Sequence, residues 1–285
     1  MKHLSFFILG TQRSGTTLMA RILGAKSDLY IKNEIDLLRL FPNSTTPADE
    51  IISNLGTLMQ EKLGPDPDAW LDENGYSLFA LKDPQLCLHL DKLEPLTKQY
   101  KFIITVRDPR GVINSYLQND WGLAVNAYAG AKRWNEEVGY QVAFAKRHPQ
   151  SVMLVKYEDL LSDLRGTLQN ICDFLGFELT DEIVNYHQKS ATYAISDKNI
   201  HTNRPPDEKL SKRWSSSLTN RQIAIIESAA SELMAFFNYT PAEKPVRLSG
   251  LQTGFYQLHQ AVVGELKNQW MWRGRKVKKK LKSLF

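Results

Sequence analysis

Apolar positions follow two rhythms along this chain. Residues 4–9, LSFFIL, form a near-continuous apolar run, the pattern of a strand buried on both faces. KFIITVRDPR (101–110) reads as a second strong strand with a basic tip, and DLYIKN (28–33), YSLFALKDP (76–84) and SVMLVKYEDL (151–160) as shorter ones, the last followed by a turn. Other stretches repeat at helical spacing. TTLMARILG predicts a helix stopped near Gly24, residues 48–61 another, GVINSYL a third, and 123–148 a long one containing Trp134. LRGTLQNICDFLGF and TNRQIAIIESAASELMAFFNY read as amphipathic helices, while 190–213 is polar and lacks periodicity. Strands alternating with helices, with the strongest strands wholly apolar, predict an α/β fold around a parallel sheet covered on both faces. Ligands of such sheets bind at the carboxyl ends of the strands. Four polar tips fall there: 10–17, 32–36, 82–85 and 107–115.

The first tip, GTQRSGTT (10–17), connects a strand to a helix through two glycines at the Walker A spacing, with Thr17 closing the motif. Thr16 stands where the Walker lysine belongs, and Arg13 appears three residues early. Backbone N–H groups and a helix start make an anion nest, Thr16 and Thr17 add hydroxyl donors, and Arg13 adds a charged fork suited to phosphate. Without the lysine, and with no clear carboxylate partner for magnesium, the loop suits a nucleotide carrying one 5′-phosphate and a small attached anion, with no metal. In VRDPRGVINS, Arg107 ends a strand and Ser115 lies two helical turns on, a placement for a second phosphate; the competing reading pairs Arg107 with Asp108 at the surface.

Composition narrows the classes. The 285 residues are 42% hydrophobic and 24% charged, ordinary for a globular protein, and no apolar run approaches the roughly 18–20 residues of a membrane span. The opening MKHLSFFILG lacks a small-residue cleavage site and runs straight into the glycine loop, so it reads as a first strand and the chain is expected to be cytoplasmic. Cys87 and Cys172 form no CxxC pair, which leaves zinc and redox motifs unsupported. The net charge of +5 belongs to the end of the chain: residues 273–285 hold seven Lys or Arg and no acid, and the remainder has 29 basic against 31 acidic residues. No nucleic-acid surface is expected on the body. The expected organisation is one domain over 1–245 and a helical basic tail over 246–285. In that tail Trp270 and Trp272 precede Val277, Leu281, Leu284 and Phe285 set among lysines, a pattern suited to the interface of an anionic membrane, or else a solvated end.

Taken together, GTQRSGTTLM and VRDPRGVINS resemble the two cofactor motifs of sulfotransferases that use 3′-phosphoadenosine 5′-phosphosulfate (PAPS, leaving the product PAP). The resemblance runs to about residue 245 and is greatest to the tyrosylprotein sulfotransferase branch and its bacterial relatives, through KNEID, LKDP, KRWNEE, VKYEDL, DFLGF and LSKRW. It implies a P-loop nucleotide-kinase-like three-layer fold with a central parallel sheet. It also implies that Arg13, Ser14, Gly15, Thr16 and Thr17 hold the 5′-phosphosulfate and that Arg107 and Ser115 hold the 3′-phosphate. Tyr157 and Arg204 look like further cofactor contacts. Glu34 matches the family's general base, although Asn33 replaces the second acid of the usual pair, and Lys82 matches a lysine that neutralises the moving sulfuryl group. Trp134 and Trp214 read equally as neighbours of the adenine or as core residues. The acceptor would be a hydroxyl on a tyrosine, a glycan, a glycolipid or a small molecule, in a pocket shaped by 40–75 and the loops after 118 and 190. His89, the nearest histidine to these motifs, reads as structural. The rival readings are a nucleotide or small-molecule kinase, against which the missing lysine speaks, and a catalytically dead binding relative.

Overall fold

The computed structural model describes residues 1–119, 122–189 and 202–270. They form two compact units, Met1–Val106 with Tyr140–Glu208, and Arg107–Gly139 with Lys209–Phe285.

The first unit is built on five parallel strands: β1 (Leu4–Gly10), β2 (Leu29–Asn33), β3 (Leu78–Lys82), β4 (Lys101–Val106) and β5 (Val152–Lys156), in the order β2-β3-β1-β4-β5. The most apolar strand, β1, is central, which explains its burial on both faces. Its two neighbours lead the chain in opposite directions across the sheet, so the carboxyl end of β1 is the switch point where such sheets open a ligand crevice. Register places Gly10 beside Thr105 and Ile8 beside Lys82. Phe7 stacks on Phe102 at 4.9 Å in a core that also takes Ile51, Leu55 and Met59, one face of the helix Ala48–Leu63. Each such side chain, fully buried, contributes about 1.5–3 kcal/mol.

Three elements differ from the sequence reading. The stretch 43–75 holds a second helix, Pro67–Glu73, started by an Asp66 side chain that accepts from Ala69 N at 2.9 Å, with Pro67 in the first helical position. After β5 there is no simple turn but a short helix, Tyr157–Ser162. The single helix expected over 219–239 is two, Asn220–Ala229 and Ser231–Phe236, broken at Ala230.

The second unit is helical. It contains Pro109–Leu117, the start of the long helix Ala127–Arg147, the pair just named, and Gly250–His259, around a core of Ile113, Ala127, Ala131, Trp214, Ile223 and Ile226. Trp134 is fully buried and its Nε1 donates to Arg107 O at 3.0 Å, so both Trp134 and Trp214 are interior residues of this unit. Among the described residues no helix is long and apolar enough to cross a membrane.

Candidate active site

The turn after β1 is shaped by backbone conformations that side chains resist. Gly10 (φ 147°), Arg13 (φ 71°) and Gly15 (φ 104°) all have positive φ. Space also demands the glycines: a Cβ at Gly10 would lie 2.5 Å from Thr105 O, and one at Gly15 would lie 2.5 Å from the Tyr157 ring. Tyr157 therefore packs directly on the loop. The helix that follows, α1 (Thr16–Leu23), begins at Gly15 with no side-chain cap and no acid in its first turn. A helix start left uncapped by the protein's own side chains, with the loop folded close beneath it, is a cradle that fits a phosphosulfate.

Two buried side chains hold this loop, and neither stood out in the sequence. Thr105 Oγ1 lies 2.9 Å from Ser14 Oγ, and Gln141 Nε2 donates to Thr11 Oγ1 at 2.9 Å. Ser14 is thus turned inward, and its N–H donates to Thr11 O, so it serves the shape of the loop. A hydroxyl inside an apolar strand and an amide on a buried helix face were the faint signals for these partners.

Glu34 and Lys82 meet although 48 residues separate them. Lys82 ends β3 with its side chain almost wholly buried, and its Nζ donates to Glu34 Oε1 at 3.2 Å. Glu34 follows β2 in a left-handed conformation (φ 53°), its N–H donating to Lys82 O at 2.8 Å and its side chain 60% exposed. Burial pushes the Lys82 ammonium below its ordinary value; the Glu34 carboxylate pulls it back up, and the Arg13 guanidinium pushes it further down. Arg13, from the first tip, is thus close enough to act on the lysine of the third.

The neighbouring Asp83 precedes Pro84, an aspartate-proline pair that signals a helix start in the sequence. It is buried and accepts from Gln85 N at 2.8 Å and Ile35 N at 3.2 Å, fastening the segment after Glu34 to the end of β3. Burial holds its carboxyl above the usual range. Asn33 Oδ1 is buried with no hydrogen-bond partner. Arg204 is exposed, and its carbonyl accepts from Tyr186 Oη at 2.8 Å. His89 packs against Phe41. Among the described residues no group of three or more His, Cys, Asp or Glu side chains is arranged to hold a metal ion.

In the second unit, the Arg107 side chain lies along the first turn of the helix Pro109–Leu117, where a Cβ at Gly111 would come within 2.9 Å of its Nε. Ser115 is half-buried in the same helix. Asp108 caps that helix by accepting from Arg110 N at 2.8 Å, and its carboxylate takes the Arg110 guanidinium at 2.6 Å. Arg110 also donates to Glu227 at 2.6 Å and lies 4.0 Å from the centroid of the Trp214 ring. The arginine that Asp108 binds within this buried network is therefore Arg110. Residues 120–121, 190–201 and the basic tail beyond Trp270 lie outside the described residues.

The chain is similar to several known proteins. The sequence model described as the sulfotransferase family matches residues 5–181. A Caenorhabditis briggsae protein named for protein-tyrosine sulfotransferase activity is 25% identical over 266 residues, spanning 88% of this chain and 95% of that protein. The 3-alpha-hydroxysteroid sulfotransferase of Cavia porcellus is 27% identical over 208 residues, 62% of this chain and 71% of that protein. Two solved structures share the fold at 23% identity: the sulfotransferase domain of the Synechococcus PCC 7002 olefin synthase (TM-score 0.61, 83% of this chain and 95% of that one) and that of the curacin biosynthetic pathway (TM-score 0.62, 83% and 98%).

Proposed function

The chain belongs to the sulfotransferase family, and from that premise we propose that it moves the sulfuryl group of PAPS to an acceptor hydroxyl with Glu34 as general base and Lys82 as the cation beside the transferred group. The observation that carries this reading is the contact of Lys82 Nζ with Glu34 Oε1 at 3.2 Å, at strand ends where Arg13 also acts on the lysine. The donor supplies an activated sulfuryl group on a phosphate leaving group.

The remaining work falls to this chain's own residues. Glu34, exposed enough to meet a substrate, takes the proton of the acceptor hydroxyl. Lys82, preorganised by burial and by its bond to Glu34, opposes negative charge as it develops. The uncapped start of α1, with Gly15, Thr16, Thr17 and Arg13, receives the 5′-phosphosulfate, while Ser14 shapes the loop and Tyr157 packs against it. Arg107 and Ser115 hold the 3′-phosphate, and Arg204 adds a further contact. No metal takes part, so activity should persist through chelation; loss on chelation with recovery on added magnesium would contradict this.

Tyrosine and a 3-hydroxysteroid, the acceptors in the names of two relatives, share a hydroxyl, and that is the group we assign to the acceptor here. The deciding experiment incubates the protein with labelled donor and an extract of its native cell, and identifies the labelled product by mass. Thermal unfolding adds an independent check: PAP should stabilise the fold and ATP with magnesium should not. Stabilisation by ATP with magnesium alone would overturn the cofactor assignment.

A further inference from the structure

The helix Gly250–His259 continues through a π turn, Gln260–Gly264, and on to Trp270. One face is fastened to its own unit. Gln260 accepts from Val125 N at 2.8 Å and donates to Gly122 O at 2.9 Å, Asn126 donates to Tyr256 O at 2.9 Å, and Tyr256 stacks on Tyr128. Gly264 is buried against Gly122.

The other face inverts the usual pattern, in which an exposed helix turns charge toward water. Leu251, Phe255, Leu258, Val262, Leu266 and Trp270 are 51–89% exposed, and they recur at intervals of three or four residues. Glu265 is the only charged residue among the exposed positions from 251 to 270. The stripe is about 28 Å long at 1.5 Å per residue. A contiguous apolar face of this length marks a docking surface.

Charge selects the occupant. Lys244 and Arg247 are exposed just before the stripe, and the seven Lys or Arg of residues 273–285 follow it with no acid among them. A second copy of the same helix fits poorly. A coiled-coil seam through Leu251, Phe255, Leu258 and Val262 would next require an apolar residue at 265, where Glu265 stands. A parallel pair would also bring two such cationic runs together. Large apolar and aromatic side chains flanked by cations match the boundary between headgroups and acyl chains of an anionic leaflet. We propose that the stripe Leu251–Trp270 is a docking face for an anionic lipid bilayer, on which the helix lies parallel to the surface.

The test is co-sedimentation of the full chain with vesicles of phosphatidylcholine alone and of phosphatidylcholine mixed with phosphatidylserine. Binding is expected on the mixed vesicles only. Replacing three stripe residues together, Phe255→Gln, Leu258→Gln and Leu266→Gln, should weaken that binding at least about tenfold and leave the unfolding temperature unchanged, because these side chains are exposed. A chain ended at Gln269 keeps most of the stripe and should lose the preference for the anionic lipid. Equal sedimentation of the triple variant and the unaltered chain would overturn the proposal. So would equal binding to both vesicle types, or a dimer in light scattering that the triple variant dissociates while neither form binds vesicles.

Discussion

The two strand-to-helix turns at Gly10–Thr17 and Arg107–Ser115 look alike in outline, yet they present opposite surfaces to an anion. The first leaves the start of α1 without a side-chain cap, and Gly15 at its head brings the backbone close. The second closes its helix with its own aspartate: Asp108 accepts from Arg110 N and binds the Arg110 guanidinium, and Pro109 fills the first helical position. A helix start already occupied by a carboxylate has little left to offer a phosphate. The first turn is therefore suited to bind through backbone and dipole, the second through the side chains of Arg107 and Ser115. The two turns share a sequence outline, and as the anion sites proposed above they would differ in which atoms do the binding.

The largest effect is expected where the second turn is fixed. Arg110→Ala would leave Asp108 and Glu227 buried without their cation, a loss on the order of 3–5 kcal/mol. Denaturant unfolding of the variant measures it, and a loss below about 1 kcal/mol would mean that the network is not what closes this turn.

Next comes the chemistry beside the first turn. Glu34→Gln should lower turnover by roughly a hundredfold or more and leave PAP affinity nearly intact. A variant that keeps most of its rate with its true acceptor would require a different base.

Two arginine variants separate the turns from one another. Arg13→Ala and Arg107→Ala should each weaken PAP binding by about 1.5–3 kcal/mol. Arg107→Ala is expected at the upper end, because its helix start is already capped, and Arg13→Ala at the lower end, because the backbone cradle remains. Calorimetric titration decides the order, and the reverse order would remove the distinction drawn between the two turns.

The smallest effect is a pH dependence. Burial depresses Lys82 below 10.5, so between its folded value and 10.5 the unfolded chain holds more protons than the folded one. Stability contributed by this group is therefore present above 10.5 and lost as pH falls through the folded value. The slope is at most about 1.4 kcal/mol per pH unit. The difference in unfolding free energy between the unaltered protein and Lys82→Met, followed through the alkaline range, isolates it from other titrating groups. Parallel curves would show that folding leaves the proton affinity of Lys82 unchanged.

The sequence alone determined the local pieces. The apolar run of β1, the glycines and α1 lie within twenty residues, so their strand, turn and helix could be read from spacing, and the missing Walker lysine already pointed away from a triphosphate. Aspartates before prolines were legible in principle at Asp66, Asp83 and Asp108, although only the structure showed what each one caps. Everything that depends on distant residues meeting was decided by the tertiary fold. Placing β3 between β1 and β2 brings Lys82 beside Glu34, and placing β4 on the other side of β1 sets Thr105 against Ser14. Packing likewise extended the local Asp108–Arg110 pair to Glu227, 117 residues on, and it turned the apolar stripe that starts at Leu251 outward while Tyr256 and Gln260 hold the opposite face. Periodicity marks which side chains share a face of an element; which neighbour that face meets is set by strand order and packing, and no local pattern encodes either.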